Sequence, residues 1–273
     1  MMMNPTALLL AAALGITSCS GIPITPRQGS PFVFTGANEA CAELGNDVLP
    51  GQLGKEYTWP VESAMRKLMD TGTNTGKYAI VDPHNFGRCY DEIITDTSGF
   101  KAWWTTVAPR YKDNSLVIFD TNNEYHDMDN QLVADLRQAA IDGVRAAGAT
   151  QQYIFVEANS WTGAWNFIDQ GGVEQMKNLY DPQDKIVYEL HQYLDSDGSA
   201  TEWMRANGKK AILGETAGGV NDQCKQAVTG MLDYLSQNTE VWQGWMWWAA
   251  GPWWGGELTF PSFCDLCDEG RFG

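Results

Sequence analysis

Positive charge is scarce in this chain. Eighteen Lys and Arg face 34 Asp and Glu, only 3 His are present, and the formal net charge is −16. A surface this acidic repels phosphate backbones and anionic lipid, which argues against nucleic acid and acidic membranes as partners. Glycine fingerprints for a dinucleotide and phosphate-binding loops are absent. So is the nucleophile elbow of a Ser or Cys hydrolase, which leaves an acyl-transfer triad unsupported. There is no Asn-x-Ser/Thr acceptor. Cysteine is sparse: leaving Cys19 aside, Cys41, Cys89, Cys224, Cys264 and Cys267 form an odd set. In an exported protein some of these pair and one thiol is left over. Cys264 and Cys267 have the spacing of a zinc knuckle without the second pair that a site requires, so a structural zinc is rejected. Past the N-terminus, no apolar run is long enough to cross a bilayer. The one apolar stretch, Ala7 to Ile16, is too short to span and is followed by small residues. It predicts an export signal over residues 1–20 and an extracellular protein.

The informative stretch is Leu116 to Asp127, LVIFDTNNEYHD. Four apolar residues suit a fully buried strand. The chain then turns abruptly polar, through Asn123 and Glu124. A strand that is core along its length and acidic at its carboxyl end is the pattern of an α/β barrel, whose strand ends carry the chemistry. A lone Glu in that place is ordinarily a loop carboxylate. Here the design recurs at Lys210 to Thr216, KAILGET, which ends on Glu215. Two strand-end glutamates fit paired-carboxylate chemistry, one protonating a leaving group while the other attacks or activates water. The chain also holds 12 Trp. A large core accounts for some of them; those outside any apolar period fit the flat faces of sugar rings.

Apolar strands alternate with amphipathic helices along the rest of the chain, which predicts a parallel sheet with helices outside. Strands are expected near Phe32–Gly36, Tyr78–Val81, Leu116–Phe119, Tyr153–Val156, Lys185–Tyr188, Lys210–Gly214 and Trp242–Trp248. That is one short of the eight in a closed barrel. Helices are expected near Tyr57–Met69, Phe100–Tyr111, Gln131–Ala147, Gly172–Tyr180, Thr201–Ala206 and Asp222–Ser236. If the strand ends converge, the rim collects Asn38, His84, Asn85, Asn123, Glu124, His191, Tyr193, Glu215 and Trp248. His84 and His191 offer themselves as metal ligands, but no two histidines stand one helical turn apart, so they are read as hydrogen-bonders or core residues and no metal or other cofactor is expected. Glu157, a third strand-end carboxylate, is read as structural.

The segments VDPHNFGR, FDTNNEYHDMD, YIFVEANSWTGAW, IVYELHQYLDSDGS, LGETAGGVNDQC and WWAAGPWW resemble, in order, the motifs of fungal endo-β-1,4-glucanases of glycoside hydrolase family 5. The resemblance runs from about Phe32 to Trp254. It implies a TIM (β/α)8 barrel forming a single domain over 31–273, and retaining hydrolysis of cellulose or a related β-1,4-glucan, by a monomer. By motif, Glu124 corresponds to the acid/base and Glu215 to the nucleophile. His84, Asn85, Asn123, His191, Tyr193 and Trp248 correspond to substrate-binding and positioning residues, and Asn38 joins them from the first strand. Three departures stand out. The family's second strand, with its Arg and following helix, is missing between Thr75 and Gly76. A loop and most of a helix are lost between Ser199 and Thr201, and the sequence after Gly255 is unrelated. The clean edges read as a mis-assembled gene or a splice variant, and they predict an incomplete barrel with open strand edges. The alternatives are an inactive remnant that still binds β-glucan, and a related hydrolase acting on mannan, xylan or β-1,3-glucan.

Overall fold

The structure is a computed structural model that describes residues 31–39, 52, 76–193 and 199–250. The proposed export signal, the helix expected at Tyr57–Met69, and Cys41, Cys264 and Cys267 lie outside the described residues. The strands, in chain order, are β1 (Phe34–Glu39), β2 (Ala79–Val81), β3 (Arg88–Cys89), β4 (Glu92–Ile93), β5 (Val117–Asp120), β6 (Ile154–Glu157), β7 (Ile186–His191), β8 (Ala211–Glu215) and β9 (Trp242–Ala250). Seven form one sheet in the order β1-β9-β8-β7-β6-β5-β2, and every pairing in it is parallel. This is a TIM barrel left incomplete: among the described residues β1 and β2 end the sheet as edges, where the missing strand would stand between them. Thr35, Gly36 and Ala37 of β1 are exposed, whereas every residue of β5, β6 and β8 is buried.

Side chains alternate along each strand and sort into two cores. Phe34, Ile118, Phe155, Val187, Ile212 and Met246, one from each of six strands, pack together inside the curl of the sheet. Phe34 also meets the ring of Tyr78, just before β2, edge-on at 5.0 Å, so aromatic contact spans the seam that backbone pairing leaves open. Val117, Phe119, Ile154, Val156, Tyr188, Leu190 and Leu213 point the other way, toward the helices.

The helices are α1 (Thr97–Val107), α2 (Asn130–Ala146), α3 (Phe167–Gln170), α4 (Val173–Met176), α5 (Ser199–Ala206) and α6 (Asp222–Gln237). The long ones begin where side-chain caps allow. Asp96 accepts from the Gly99 amide, Asp129 from Leu132 and Asn221 from Cys224, each satisfying a free first-turn donor. α2 buries Val133, Leu136, Ala140, Ile141 and Val144 along one stripe, as its periodicity predicts.

Local structure departs from the sequence pattern at three places. The helix expected over Gly172–Tyr180 is shorter, the single turn α4 over Val173–Met176, and a separate turn, α3, precedes it, the two parted where Gly172 takes φ 71. The β3–β4 hairpin has no sequence signal, because its turn residues Tyr90 and Asp91, at φ 51 and 65, replace the usual Asn-Gly. Val228, Met231, Leu232 and Leu235 share the spacing of one helical face on α6, but only Leu235 is fully buried and the other three are half-buried. Cys224 is disulfide-bonded to a partner outside the described residues, and Cys89 is free and exposed.

Candidate active site

The alternation that builds the inner core also builds the site. Continuing the inward parity toward the carboxyl ends, Ile118 is followed by Asp120, Phe155 by Glu157, Val187 by Glu189 and His191, Met246 by Trp248, and Phe34, two steps on, by Asn38. An apolar layer is thereby capped by a polar one at the mouth. β8 departs from this rule. Gly214 takes the inward place, and its missing side chain leaves room for Glu189: a Cβ there would meet Glu189 Oε1 at 1.6 Å. A register shift between β7 and β8 then sets Glu215 opposite His191. Gly214→Ala is expected to displace Glu189 and to remove most activity together with several degrees of thermal stability, read by a melt and an assay on the same sample.

His191 is the hub. Its Nδ1 lies 2.7 Å from Glu124 Oε1 and 3.5 Å from Glu215 Oε2. Its Nε2 lies 3.7 Å from Glu189 Oε1 and 3.9 Å from Glu157 Oε1. One atom each of Glu124, His191 and Glu215 falls within 4.8 Å of the others. The two glutamates that are 91 residues apart in sequence thus share one side of a single imidazole. Tyr193 donates its hydroxyl to Glu215 Oε2 at 2.6 Å. Glu124 itself is partly exposed, and its backbone is left-handed at φ 46, an uncommon conformation for a residue with a side chain. Glu157 Oε2 accepts the Glu124 amide at 2.6 Å.

The other rim residues flank this centre. Asn123 donates to His84 Nε2 at 3.1 Å, so His84 carries its proton on Nδ1, facing Asp82 at 3.0 Å. The His84 ring stacks on Trp248 with centroids 5.5 Å apart. Asn85 accepts from Asn122, whose own Oδ1 holds the Gly87 amide. Asn38 donates to the Gly214 carbonyl at 2.8 Å and ties β1 to the strand that bears Glu215. All nine residues singled out from the sequence therefore lie at the carboxyl ends of these strands or in the turns that follow.

Of the layer beneath, sequence reasoning singled out only Glu157. Asp120, Glu157 and Glu189 are buried together, opposed by the fully buried Arg137. Arg137 reaches up from α2, donates to the Glu157 and Asn122 carbonyls and to Thr121 Oγ1, and lies 3.9 Å over the Tyr125 ring. A charged residue within the apolar stripe of α2 was the one available signal.

Burial without full pairing raises carboxyl pKa values. Burial pushes Glu157 up to about 8, against the pull of His191. Burial likewise lifts Glu215 to about 7, with Glu124 adding to the rise and His191 opposing it. Asp120 is held far above the carboxylate range by burial and by Glu189 and Glu157. For His191, burial acts against the charged form but is outweighed, first by Glu215 and then by Glu157, and the ring stays protonated well above the usual histidine value. All four groups bind protons more tightly folded than unfolded. Their contribution to stability is complete below the unfolded values and is lost as pH rises through the folded ones, from the mid-4s to about 8 for Glu157. The melting temperature is therefore expected to be several degrees higher at pH 5 than at pH 8, and Glu157→Gln should flatten that slope. A melt series across this range checks both.

Glu124, His191 and Glu215 are also a donor set that could hold a cation, as are Glu157, Glu189 and His191. A cation in either place would have to displace the His191 proton that already bridges the carboxylates.

The sequence pattern of the cellulase family (glycosyl hydrolase family 5) matches residues 51–251. Among curated relatives, a probable endo-beta-1,4-glucanase B of Neosartorya fischeri is 47% identical, with 90% of each chain covered. Endo-beta-1,4-glucanase A of Emericella nidulans is 46% identical, covering 85% of this chain and 87% of its own. The first alignment runs over 302 positions, more than the 273 residues of this chain, so it holds gaps opposite this sequence. Among solved structures, an endo-beta-1,4-glucanase from Xanthomonas axonopodis pv. citri matches with TM-score 0.72 at 30% identity, over 83% of this chain and 91% of that one. XacCel5A, solved in complex with cellopentaose, matches with TM-score 0.72 at 27% identity, over 84% of this chain and 92% of that one.

Proposed function

Because this chain belongs to the cellulase family, glycosyl hydrolase family 5, we propose that it is an endo-β-1,4-glucanase that cleaves internal linkages of a β-glucan by two successive displacements at Glu215. The observation that carries this reading is the meeting of Glu124 and Glu215 around His191, within 4.8 Å. A retaining pair needs its carboxyl groups about 5–5.5 Å apart, too close to admit a water between them.

In the first step Glu215 attacks the anomeric carbon. The glycosidic bond breaks, and Glu124 passes its proton to the departing oxygen. In the second, Glu124 takes a proton from water as that water attacks the same carbon, and Glu215 leaves as the carboxylate. The Tyr193 hydroxyl, 2.6 Å from Glu215 Oε2, holds the nucleophile in line. His191, charged and 2.7 Å from Glu124 Oε1, orients the acid and offsets negative charge between the pair. Asn123, His84, Asn85, Asn38 and Trp248 supply hydrogen bonds and a flat face for sugar rings. No cofactor takes part. Residues 1–20 serve as the export signal, and the monomeric domain over 31–273 acts outside the cell; among the described residues no helix is long and apolar enough to cross a membrane.

The test is the configuration of the first product. Proton NMR during hydrolysis of a cello-oligosaccharide is expected to show the β-anomer before mutarotation; initial α-product would overturn the mechanism. A second reading, a remnant that binds β-glucan without cleaving it, is favoured by the edges that β1 and β2 present among the described residues. A cooperative melt and saturable cello-oligosaccharide binding with no reducing sugar released would select it.

A further inference from the structure

Among the buried carboxyl groups without a task in the two displacements, Glu157 makes the contact nearest to the chemistry. Glu157 is fully buried at the inward end of β6 and borders the residue read as the acid. Backbone in the left-handed region is unfavourable for a residue with a side chain, and it persists only where the surroundings over-determine it. At Glu124 those surroundings can be named. Glu157 Oε2 accepts the Glu124 amide at 2.6 Å, while the Glu157 carbonyl accepts Arg137 Nε at 2.8 Å and so fixes the end of the strand from which the carboxyl group reaches. Its second oxygen, Oε1, is buried without a hydrogen-bond partner and lies 3.9 Å from His191 Nε2. His191 in turn meets Glu124 through its other nitrogen. Glu157 thus reaches Glu124 by two routes: the backbone amide, and the imidazole that orients the carboxyl group. Toward Glu215 the same imidazole is farther, 3.5 Å from Oε2, and Glu157 makes no backbone contact there; Glu215 is held by Tyr193 and by the register of β8.

We infer that Glu157 is a positioning residue for Glu124: its carboxyl oxygen holds the strained backbone that aims the acid/base at the glycosidic oxygen. The inference rests on the reading of Glu124 as the acid, and the two are separable by experiment. A step that needs protonation of the leaving group suffers when the acid is misaimed; a step with a leaving group that departs as a stable anion does not.

The experiment compares kcat/KM on a cello-oligosaccharide, whose leaving sugar needs a proton, with that on 2,4-dinitrophenyl β-cellobioside, whose leaving group does not. Glu157→Met keeps the volume and removes the acceptor. It is expected to lose about 100-fold on the oligosaccharide, the scale of a 1 Å misplacement, and less than about 3-fold on the activated substrate. Glu157→Gln keeps an acceptor oxygen and should restore most of the first loss. Glu157→Asp withdraws the acceptor by one methylene and repeats the split if the Met variant does not fold. Equal losses on both substrates, in the Met and Asp variants alike, would overturn the proposal and leave Glu157 a purely structural group. If Glu124→Gln itself shows no split between the substrates, the reading of Glu124 as acid fails first, and that result is distinct from a failure confined to Glu157.

Discussion

Glu215→Gln is expected to lower hydrolysis of carboxymethylcellulose by about 10³-fold or more, and Glu124→Gln by about 10²–10⁴-fold, with both variants melting within a few degrees of the parent chain. The amide matches the carboxyl group in shape, and Tyr193 and His191 can still contact it, so the fold has little reason to respond. The chemistry has every reason to. A glutamine at 215 cannot form the glycosyl ester, and one at 124 has no proton to give to the leaving oxygen or to take from water. Because Glu215 is buried and lifted to about 7, its replacement also removes a group whose ionisation costs folding energy. The Gln variant should therefore be slightly more stable than the parent at pH 8 and nearly equal to it at pH 5. Near-normal release of reducing sugar by either variant would remove these residues from the mechanism, whatever their geometry.

The second large effect is expected at a position that touches no sugar. Arg137→Met should cost about 3–5 kcal/mol of stability, since it removes one partner from a buried charge group and strands the others. In a domain of this size that corresponds to a fall in melting temperature on the order of 10 °C. Arg137 is fully buried, donates to the Glu157 and Asn122 carbonyls, and offsets Asp120 and Glu157. Methionine fills similar space but supplies neither donors nor charge. Activity should fall as well, because the strand ends bearing Asn123, Glu124 and Glu157 lose their common anchor. Pairing the change with Glu157→Gln should recover part of the stability, by removing one of the carboxyl groups left behind. A melt within about 2 °C of the parent would show that the buried carboxyls are neutral without Arg137 and that its charge is dispensable.

What the sequence by itself determined is the sheet and the identity of the polar residues at its mouth. Runs such as Val117–Phe119 and Ile154–Val156 are short, apolar and rich in β-branched and aromatic residues, which suits buried strands, and the apolar-to-polar break after each marks the end that faces solvent. That is local information, carried by side-chain size and period, and it was enough to count seven strands and to single out Glu124 and Glu215. What only the tertiary structure decided is which of those groups meet. The place of Glu215 depends on a register shift against β7, and the place of Glu189 on the missing side chain of Gly214, on the neighbouring strand. The burial of Arg137 beneath three carboxyl groups and the left-handed turn at Glu124 likewise arise from contacts between residues 15 or more positions apart. No window along the chain contains such contacts, because electrostatic energy depends on distance in space and on the loss of water, and both are set when the strands assemble.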